Sequence, residues 1–219
     1  MRRNIPIRDS ASDYDRYAAG PLAVFDNALI RRLVELTTHC SSPPDTIVDV
    51  GTGTARLLLR ISETPMFSNT RLIGLEFFPD MVEAARSNVA TWGRNNITIL
   101  HGDVHQMGFS ESSIDCIITR STIHHWARPQ RALQEIFRIL RPRRFALIHE
   151  LRSDPGPEAL REFNNMRSAC GLGPTTLDEK YTSAELIALV SAAQISNNYV
   201  ISCPQSGLGA IGVEIVIWK

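Results

Sequence analysis

The sequence predicts an α/β fold built on a mostly parallel sheet, and three observations carry that expectation. Short apolar runs alternate with segments of helical periodicity from residue 46 to residue 149. One run, Ile47-Val48-Asp49-Val50, passes into Gly51-Thr52-Gly53, a turn that opens a helix. The next run, Leu72-Ile73-Gly74-Leu75, ends on Glu76. Strand, glycine turn and helix in that order make a nucleotide site. Gly51 and Gly53 place no Cβ against a close backbone approach, and the helix directs free N–H groups and its positive dipole end at the ligand. Glu76 stands where a carboxylate accepts hydrogen bonds from two ribose hydroxyls.

The elements follow in order. Apolar residues recur at helical spacing over 21–39, among them Leu22, Phe25, Leu29, Leu33 and Leu36, and Ser41-Ser42-Pro43-Pro44 ends that helix. Strand 46–50 leads to a helix over about 54–63, and strand 71–76 to a helix over 79–92. Strands near 97–101 and 114–119 come next. The helix over about 128–140 turns Ala132, Leu133, Ile136, Phe137, Ile139 and Leu140 inward and delivers the chain to Phe145-Ala146-Leu147-Ile148-His149, a buried strand. The sheet is thus at least five strands wide. Arg152 to Pro157 is a polar turn, 158–170 a helix, and Gly171 to Thr176 a loop in the position of a lid. Thr182 followed by Glu185 starts a helix that runs to about Ala193. Strands near 198–203 and 211–218 close the chain, and the glycines between them allow a hairpin that sets the last strand antiparallel.

The composition excludes several classes. Lysine plus arginine and aspartate plus glutamate both total 23 in 219 residues, so no net charge draws the chain to a polyanion. Cys40, Cys116, Cys170 and Cys203 are widely spaced without a C-x-x-C pair, which predicts reduced thiols and no structural zinc. His101, His105 and His149 lack metal-ligand spacing, so no metal is expected. Residues 1–9 hold charge but no apolar h-region, and no stretch approaches the ~20 apolar residues of a membrane span, so a soluble, cytoplasmic protein is expected. Arg141, Arg143 and Arg144 form a basic cluster with a solvated or helix-terminal role.

Five motifs, in order, resemble the class I S-adenosylmethionine-dependent methyltransferases, in the small-molecule branch similar to the ubiquinone and menaquinone C-methyltransferases. They are Val48-Asp49-Val50-Gly51-Thr52-Gly53; Gly74-Leu75-Glu76-Phe77-Phe78-Pro79-Asp80; Gly102-Asp103-Val104-His105; Ile114-Asp115-Cys116-Ile117-Ile118-Thr119-Arg120 with His124-His125-Trp126; and Leu133 to Pro142. The resemblance covers roughly residues 10–150. It implies a doubly wound, Rossmann-like sheet of seven strands, mostly parallel with the last antiparallel, and helices on both faces. It further implies one methyltransferase domain over 1–219: a helical cap in 1–40, a cofactor-binding core in 45–150, a substrate-side insertion in 151–181, and a C-terminal helix and hairpin in 182–219.

Position by position, the resemblance implies that Asp49, Gly51, Thr52 and Gly53 belong to the cofactor site, with the glycine turn under the methionine part. Glu76 would hold the ribose, Phe77 would flank the adenine, Asp103 would accept from its amino group, and the Val104 N–H would donate to a ring nitrogen. Arg120 and Ser121 would face the methionine end, and Tyr14, with Tyr17 nearby, would cap the cofactor. His124 or His125 is the candidate general base, just past a strand's C-terminal end. Two positions depart from the family pattern: Ala55 stands for the third glycine, and Arg143-Arg144 for a glycine pair, so that turn must be built differently. The expected reaction is methyl transfer to an O, N, S or C nucleophile of a small molecule, with S-adenosylhomocysteine as product and no nucleic-acid or membrane partner; nothing in the sequence sets an oligomeric state. The alternatives are a non-catalytic S-adenosylmethionine-binding or regulatory protein and an NAD-dependent oxidoreductase.

Overall fold

The computed structural model describes residues 10–20, 22–169, 171–195 and 198–219; residues 1–9 and Cys170, read above, lie outside them. Two helices, α1 (Ala11–Ala19) and α2 (Leu22–Thr38), precede a sheet whose strands alternate with helices: β1 (Thr46–Val50), α3 (Arg56–Ser62), β2 (Arg71–Glu76), α4 (Pro79–Trp92), β3 (Ile97–His101), β4 (Ile114–Arg120), α5 (Pro129–Ile139) and β5 (Leu140–Leu151). Then come α6 (Pro157–Ala169), α7 (Ser183–Ala192), β6 (Tyr199–Ser202) and β7 (Gly212–Trp218). The seven strands lie in the order β3-β2-β1-β4-β5-β7-β6. All pairs are parallel except those of β7, which runs antiparallel to both β5 and β6.

Period-two alternation sorts each strand between two cores. Val48, Val50, Ile73, Leu75, Ile117, Ala146 and Ile148 pack with α5 and α7. Ile47, Leu72, Cys116, Ile118, Phe145 and Leu147 pack with α2, α3 and α4. Helices therefore cover both faces, as the fold class requires. The short helix α3 buries Leu57, Leu58, Leu59 and Ile61; at roughly 1.5–3 kcal/mol per buried large apolar side chain, packing and not helix propensity holds so short a segment. A third cluster, with Phe25, Leu151, Phe163, Leu177 and Ile211, seats α1, α2 and α6 over the carboxyl end of the sheet. That cluster roofs the site described below.

The structure departs from the expected elements in informative places. Helix α3 begins at Arg56 because Ala55, at φ 64°, is left-handed and cannot be its first turn. Strand β5 begins at Leu140, directly after α5, and the pairing jumps from Ile114↔Leu140 to Cys116↔Phe145. This is a bulge around Pro142, with Arg143 left-handed at φ 62°. It replaces the glycine-pair turn. Of the arginines expected in a solvated or helix-terminal role, Arg143 is exposed, while Arg141 and Arg144 also serve a buried carboxylate. Arg141 Nη1 lies 2.9 Å and Arg144 Nε 3.3 Å from Oδ1 of Asp115, whose side chain is 1% exposed; a buried carboxylate that caps Asp45 N and Thr46 N needs those cations. Thr182 does start α7, through a complete capping box with Glu185. Among the described residues no helix is long and apolar enough to cross a membrane.

Candidate active site

The order of strands reverses between β1 and β4, and open α/β sheets bind ligands outside the carboxyl ends of the strands at such a point. A cavity of about 500 Å³ opens there. At one end it is lined by Tyr14, Gly51, Gly53, Glu76, Phe77, Asp103 and Val104, and towards the other by Arg120, Ser121, His124, His125, Trp126, Arg167, Glu179 and Lys180.

The glycine turn is tied to β2 from both sides. Gly51 N and Thr52 N donate to Leu75 O, at 2.8 and 3.1 Å. Glu76, 4% exposed, closes the other side: its Oε2 accepts from Gly53 N at 2.8 Å, and its Oε1 from Phe77 N and Phe78 N at 2.9 and 3.0 Å. Burial nevertheless pushes its carboxyl above the usual range, against those three donors. Gly51 at φ 72° and Gly53 at φ 55° need glycine conformationally, and there is no space either: a Cβ on Gly53 would sit 2.7 Å from Tyr14 Cε1, and one on Gly51 2.5 Å from Thr122 Cγ2. Tyr14 thus lies over the turn. It is pinned there by its neighbour Asp15, which takes a two-pronged contact from Arg56 at 2.8 and 2.6 Å and another from Asn88 at 3.0 Å. Burial drives the Tyr14 hydroxyl up to about 12, so it is a neutral donor.

Two residues of the expected cofactor site are not on the cavity. Asp49 and Thr52, 2% and 6% exposed, turn beneath the glycine loop, where Thr52 Oγ1 donates to Asp49 Oδ2 at 2.8 Å. A central strand residue inside the sheet must face a helix layer, and here desolvation outweighs the Thr52 hydrogen bond and the Arg120 charge. The Asp49 carboxyl is accordingly pushed up to about 7 by burial. The other nine expected cofactor residues line the cavity. Phe77 is 49% exposed, an apolar ring unusually open for its size. Asp103 Oδ1 accepts from His105 N at 2.9 Å and pairs with His105 Nδ1. Because His105 Nε2 accepts from Arg128 N at 3.1 Å, the proton of that ring sits on Nδ1. His101 Nε2 meets Phe77 O at 2.9 Å.

At the end of β4, Arg120 Nη1 approaches Asp26 Oδ1 of α2 to 2.9 Å, with side chains 8% and 0% exposed. The approach is off-axis, and neither Arg120 Nη1 nor the Asp26 oxygens complete a hydrogen bond among the described residues. Ser121 follows at φ 56°, strained for a non-glycine residue, with its N–H on His149 O at 2.7 Å. His149 itself is half-buried and off the cavity, with its Nδ1 enclosed, and desolvation, with Arg120 adjacent, pushes its imidazole down to about 4.

Of the two candidate histidines, His124 has both ring nitrogens engaged. His124, 2% exposed, places Nδ1 2.9 Å from Glu150 Oε1 and Nε2 against Lys180 Nζ. Both ring nitrogens are engaged, so it cannot take an acceptor's proton without breaking a contact. His125 lines the cavity and packs its ring 4.0 Å from that of His124. Lys180, Glu150 and Arg167 escaped the sequence reading. Lys180 and Arg167 lie in aperiodic or distant segments, and 56 residues separate Lys180 from His124; the strand-end position of Glu150, matching that of Glu76 and Arg120, was the one available signal.

Sheet order, glycine turn and crevice together define a doubly wound protein built to hold a nucleotide-like cofactor beside a second ligand. The profile of a methyltransferase-domain family covers residues 41–198, and the chain belongs to that family, the class I S-adenosylmethionine-dependent methyltransferases. It is similar to the arsenite methyltransferase of Halobacterium salinarum, 24% identical over 139 residues, which are 63% of this chain and 35% of that one. It is also similar to the demethylmenaquinone methyltransferase of Thermus thermophilus, 28% identical over 112 residues, which are 51% and 49% of the two chains. The chain therefore spans only about a third to a half of these relatives. In fold it superposes on a crystal structure from Methanococcus maripaludis with TM-score 0.72 at 21% identity, covering 100% of this chain and 97% of that one. A S-adenosylmethionine-dependent methyltransferase from Aquifex aeolicus gives 0.65 at 17% identity, covering 85% and 86%.

Proposed function

We propose that this protein binds S-adenosylmethionine and transfers its methyl group to a nucleophile of a small-molecule acceptor. The observation that carries the reading is the glycine turn locked to Glu76 at the switch point, in a cavity that runs on to Arg120, His125 and Lys180. The residues fit the cofactor on three counts. The turn leaves no room for a Cβ, an open Phe77 ring stands beside Asp103 and Val104 where a planar base would lie, and the buried Arg120 has a donor without a hydrogen bond where a carboxylate would end. In this reading Glu76 binds the ribose with the lone pairs left by its three backbone donors, Asp103 and Val104 N bind the adenine, and Arg120 and Ser121 meet the methionine end beneath Tyr14.

When bound, S-adenosylmethionine supplies a methyl group on an electrophilic sulfonium. The chain aligns the acceptor for in-line attack, and its roof of α1, α6 and the 171–181 segment excludes water. The cavity, about 500 Å³ for cofactor and acceptor sides together, lies within the ~300–1,000 Å³ of small-ligand sites. The relatives named for arsenite and menaquinone point the same way. We assign the segment 151–181 to the acceptor side of a single domain. The free thiols Cys40, Cys116 and Cys203 support a reducing, cytoplasmic setting.

Calorimetric titration with S-adenosylmethionine and S-adenosylhomocysteine, with NAD as the control, tests this. Micromolar binding of a sulfur cofactor, weakened at least tenfold by Glu76→Ala, is the expected result. No binding, or a preference for NAD, would overturn it.

A further inference from the structure

A line of three ionisable side chains ends in the acceptor chamber, and no step of cofactor binding uses it. Glu150, at the end of β5 and 0% exposed, accepts from Ile123 N at 2.7 Å and Leu151 N at 3.1 Å, which fixes its carboxylate. Its Oε1 faces His124 Nδ1 at 2.9 Å. The proton of His124 is thereby held on Nδ1, and the lone pair on Nε2 is left to accept an N–H of Lys180. Lys180 lines the cavity that Arg120, Ser121 and the glycine turn also line.

We propose that Lys180 is the acceptor-side catalytic base, and that Glu150 and His124 are its positioning pair. This rests on the methyl-transfer reading above. The acceptor it fits is one whose nucleophile carries an acidic proton, a phenol or a thiol. As the acceptor's lone pair forms the new bond to the methyl carbon, the S–CH3 bond breaks with its electrons retained by sulfur, and the acceptor's proton passes to Lys180 Nζ. The positive charge lost at sulfur is the charge gained at Lys180, so the cavity's net charge does not change and no further reactant is needed.

The choice of residue type is itself informative. Of the 23 lysines and arginines, only Lys180 and Lys219 are lysines. The rest of that set are arginines, which cannot act as a base near neutral pH. Loss of water lowers the Lys180 ammonium from the usual lysine range, against Glu150 and Glu179, which pull it up. The other ionisable groups on the cavity walls are Tyr14 and Tyr17 of α1, Glu76, Asp103, His105, Arg120 across the cavity, His124 and His125 from the turn after β4, Arg128, Arg167 from α6 and Glu179.

With two lysines in the sequence, competitive acetylation of the full chain with trace acetic anhydride, read by peptide mass spectrometry against pH, reports Lys180 directly and uses Lys219 as internal reference. The expected result is a Lys180 midpoint below the ~10.4 of an ordinary lysine. Saturation with cationic S-adenosylmethionine should lower the midpoint below that seen with neutral S-adenosylhomocysteine. Glu150→Gln, or His124→Leu should that variant fail to fold, should move the midpoint further down, because each removes a group that holds the ammonium. A Lys180 midpoint at the ordinary value, or one equal under both sulfur ligands once calorimetry shows them bound, would overturn the base assignment. A midpoint unmoved in both variants would overturn the positioning pair. Failure of both ligands to bind would overturn the methyl-transfer reading, while the ligand-free midpoint would still judge Lys180.

Discussion

Asp49→Asn is expected to stabilise the protein relative to wild type, with the gain growing as pH rises. Asp49 lies 2% exposed beneath the glycine turn. Burial, with Asp26 and Glu76 adding to it, raises its carboxyl to about 7 in spite of the Thr52 hydrogen bond and Arg120. In the unfolded chain an aspartate titrates near about 3.9. The folded value is the higher one, so this group's stabilising contribution is complete below the unfolded value and is lost as pH rises towards the folded value. Between those limits the native state binds a proton that the unfolded state has released, which gives a slope of about −1.4 kcal/mol per pH unit and a ceiling of roughly 4 kcal/mol. Asparagine keeps an oxygen for Thr52 Oγ1 and never ionises. Relative to wild type, the variant should gain about 1 kcal/mol per unit from roughly pH 5 to pH 7 and level off above. The comparison also cancels His149, whose lowered value works oppositely: its contribution is present above the unfolded histidine value and is lost as pH falls towards about 4. Urea unfolding of both proteins at about four pH values supplies the numbers. Two parallel stability profiles, offset by a constant, would refute the assignment of a buried proton to Asp49.

Ala55→Gly should raise stability by about 1 kcal/mol, since Ala55 is held at φ 64° where glycine is unstrained, and a thermal melt reads it; an unchanged or lower Tm would contradict the strain. Gly53→Ala should weaken S-adenosylhomocysteine binding at least tenfold, because its Cβ would sit 2.7 Å from Tyr14 Cε1, and full affinity by calorimetry would remove the turn from the cofactor site. Asp15→Ala should cost about 1 kcal/mol of stability by releasing Arg56 and Asn88, and it should speed dissociation of that ligand in stopped-flow because Tyr14 loses its anchor; an unaltered off-rate would show that α1 is no cap.

The strands β1, β2, β3 and β4 were legible because each is a short apolar run closed by a turn residue, and the glycine turn with Glu76 marked the nucleotide site without any tertiary knowledge. The number of strands and the antiparallel last one came from the family resemblance, whereas the order of the sheet was not legible, since adjacency of β1 and β4 has no local signal. Asp49 and Thr52 were misplaced because a motif gives sequence positions and not the side of the loop to which each side chain turns. The bulge at Arg143 was visible only as a missing glycine pair, and the burial of Asp115 that recruits Arg141 and Arg144 is a property of packing. The acceptor side was the least legible. His124 was found by its place after a strand, but what its nitrogens touch depends on Glu150 and Lys180, brought to it by the fold from 26 and 56 residues away.

Strand β7 fills the slot between β5 and β6, although both precede it in sequence. During synthesis the ribosome therefore releases six strands before the one that joins the last of them to the rest. Until Gly212–Trp218 emerges, the nascent chain shows an unpaired β5 edge with a full complement of apolar side chains, and β6 has no neighbour. A product truncated before residue 212 would lose the seam and not merely a margin, leaving a sticky sheet edge of the kind chaperones recognise and aggregates recruit.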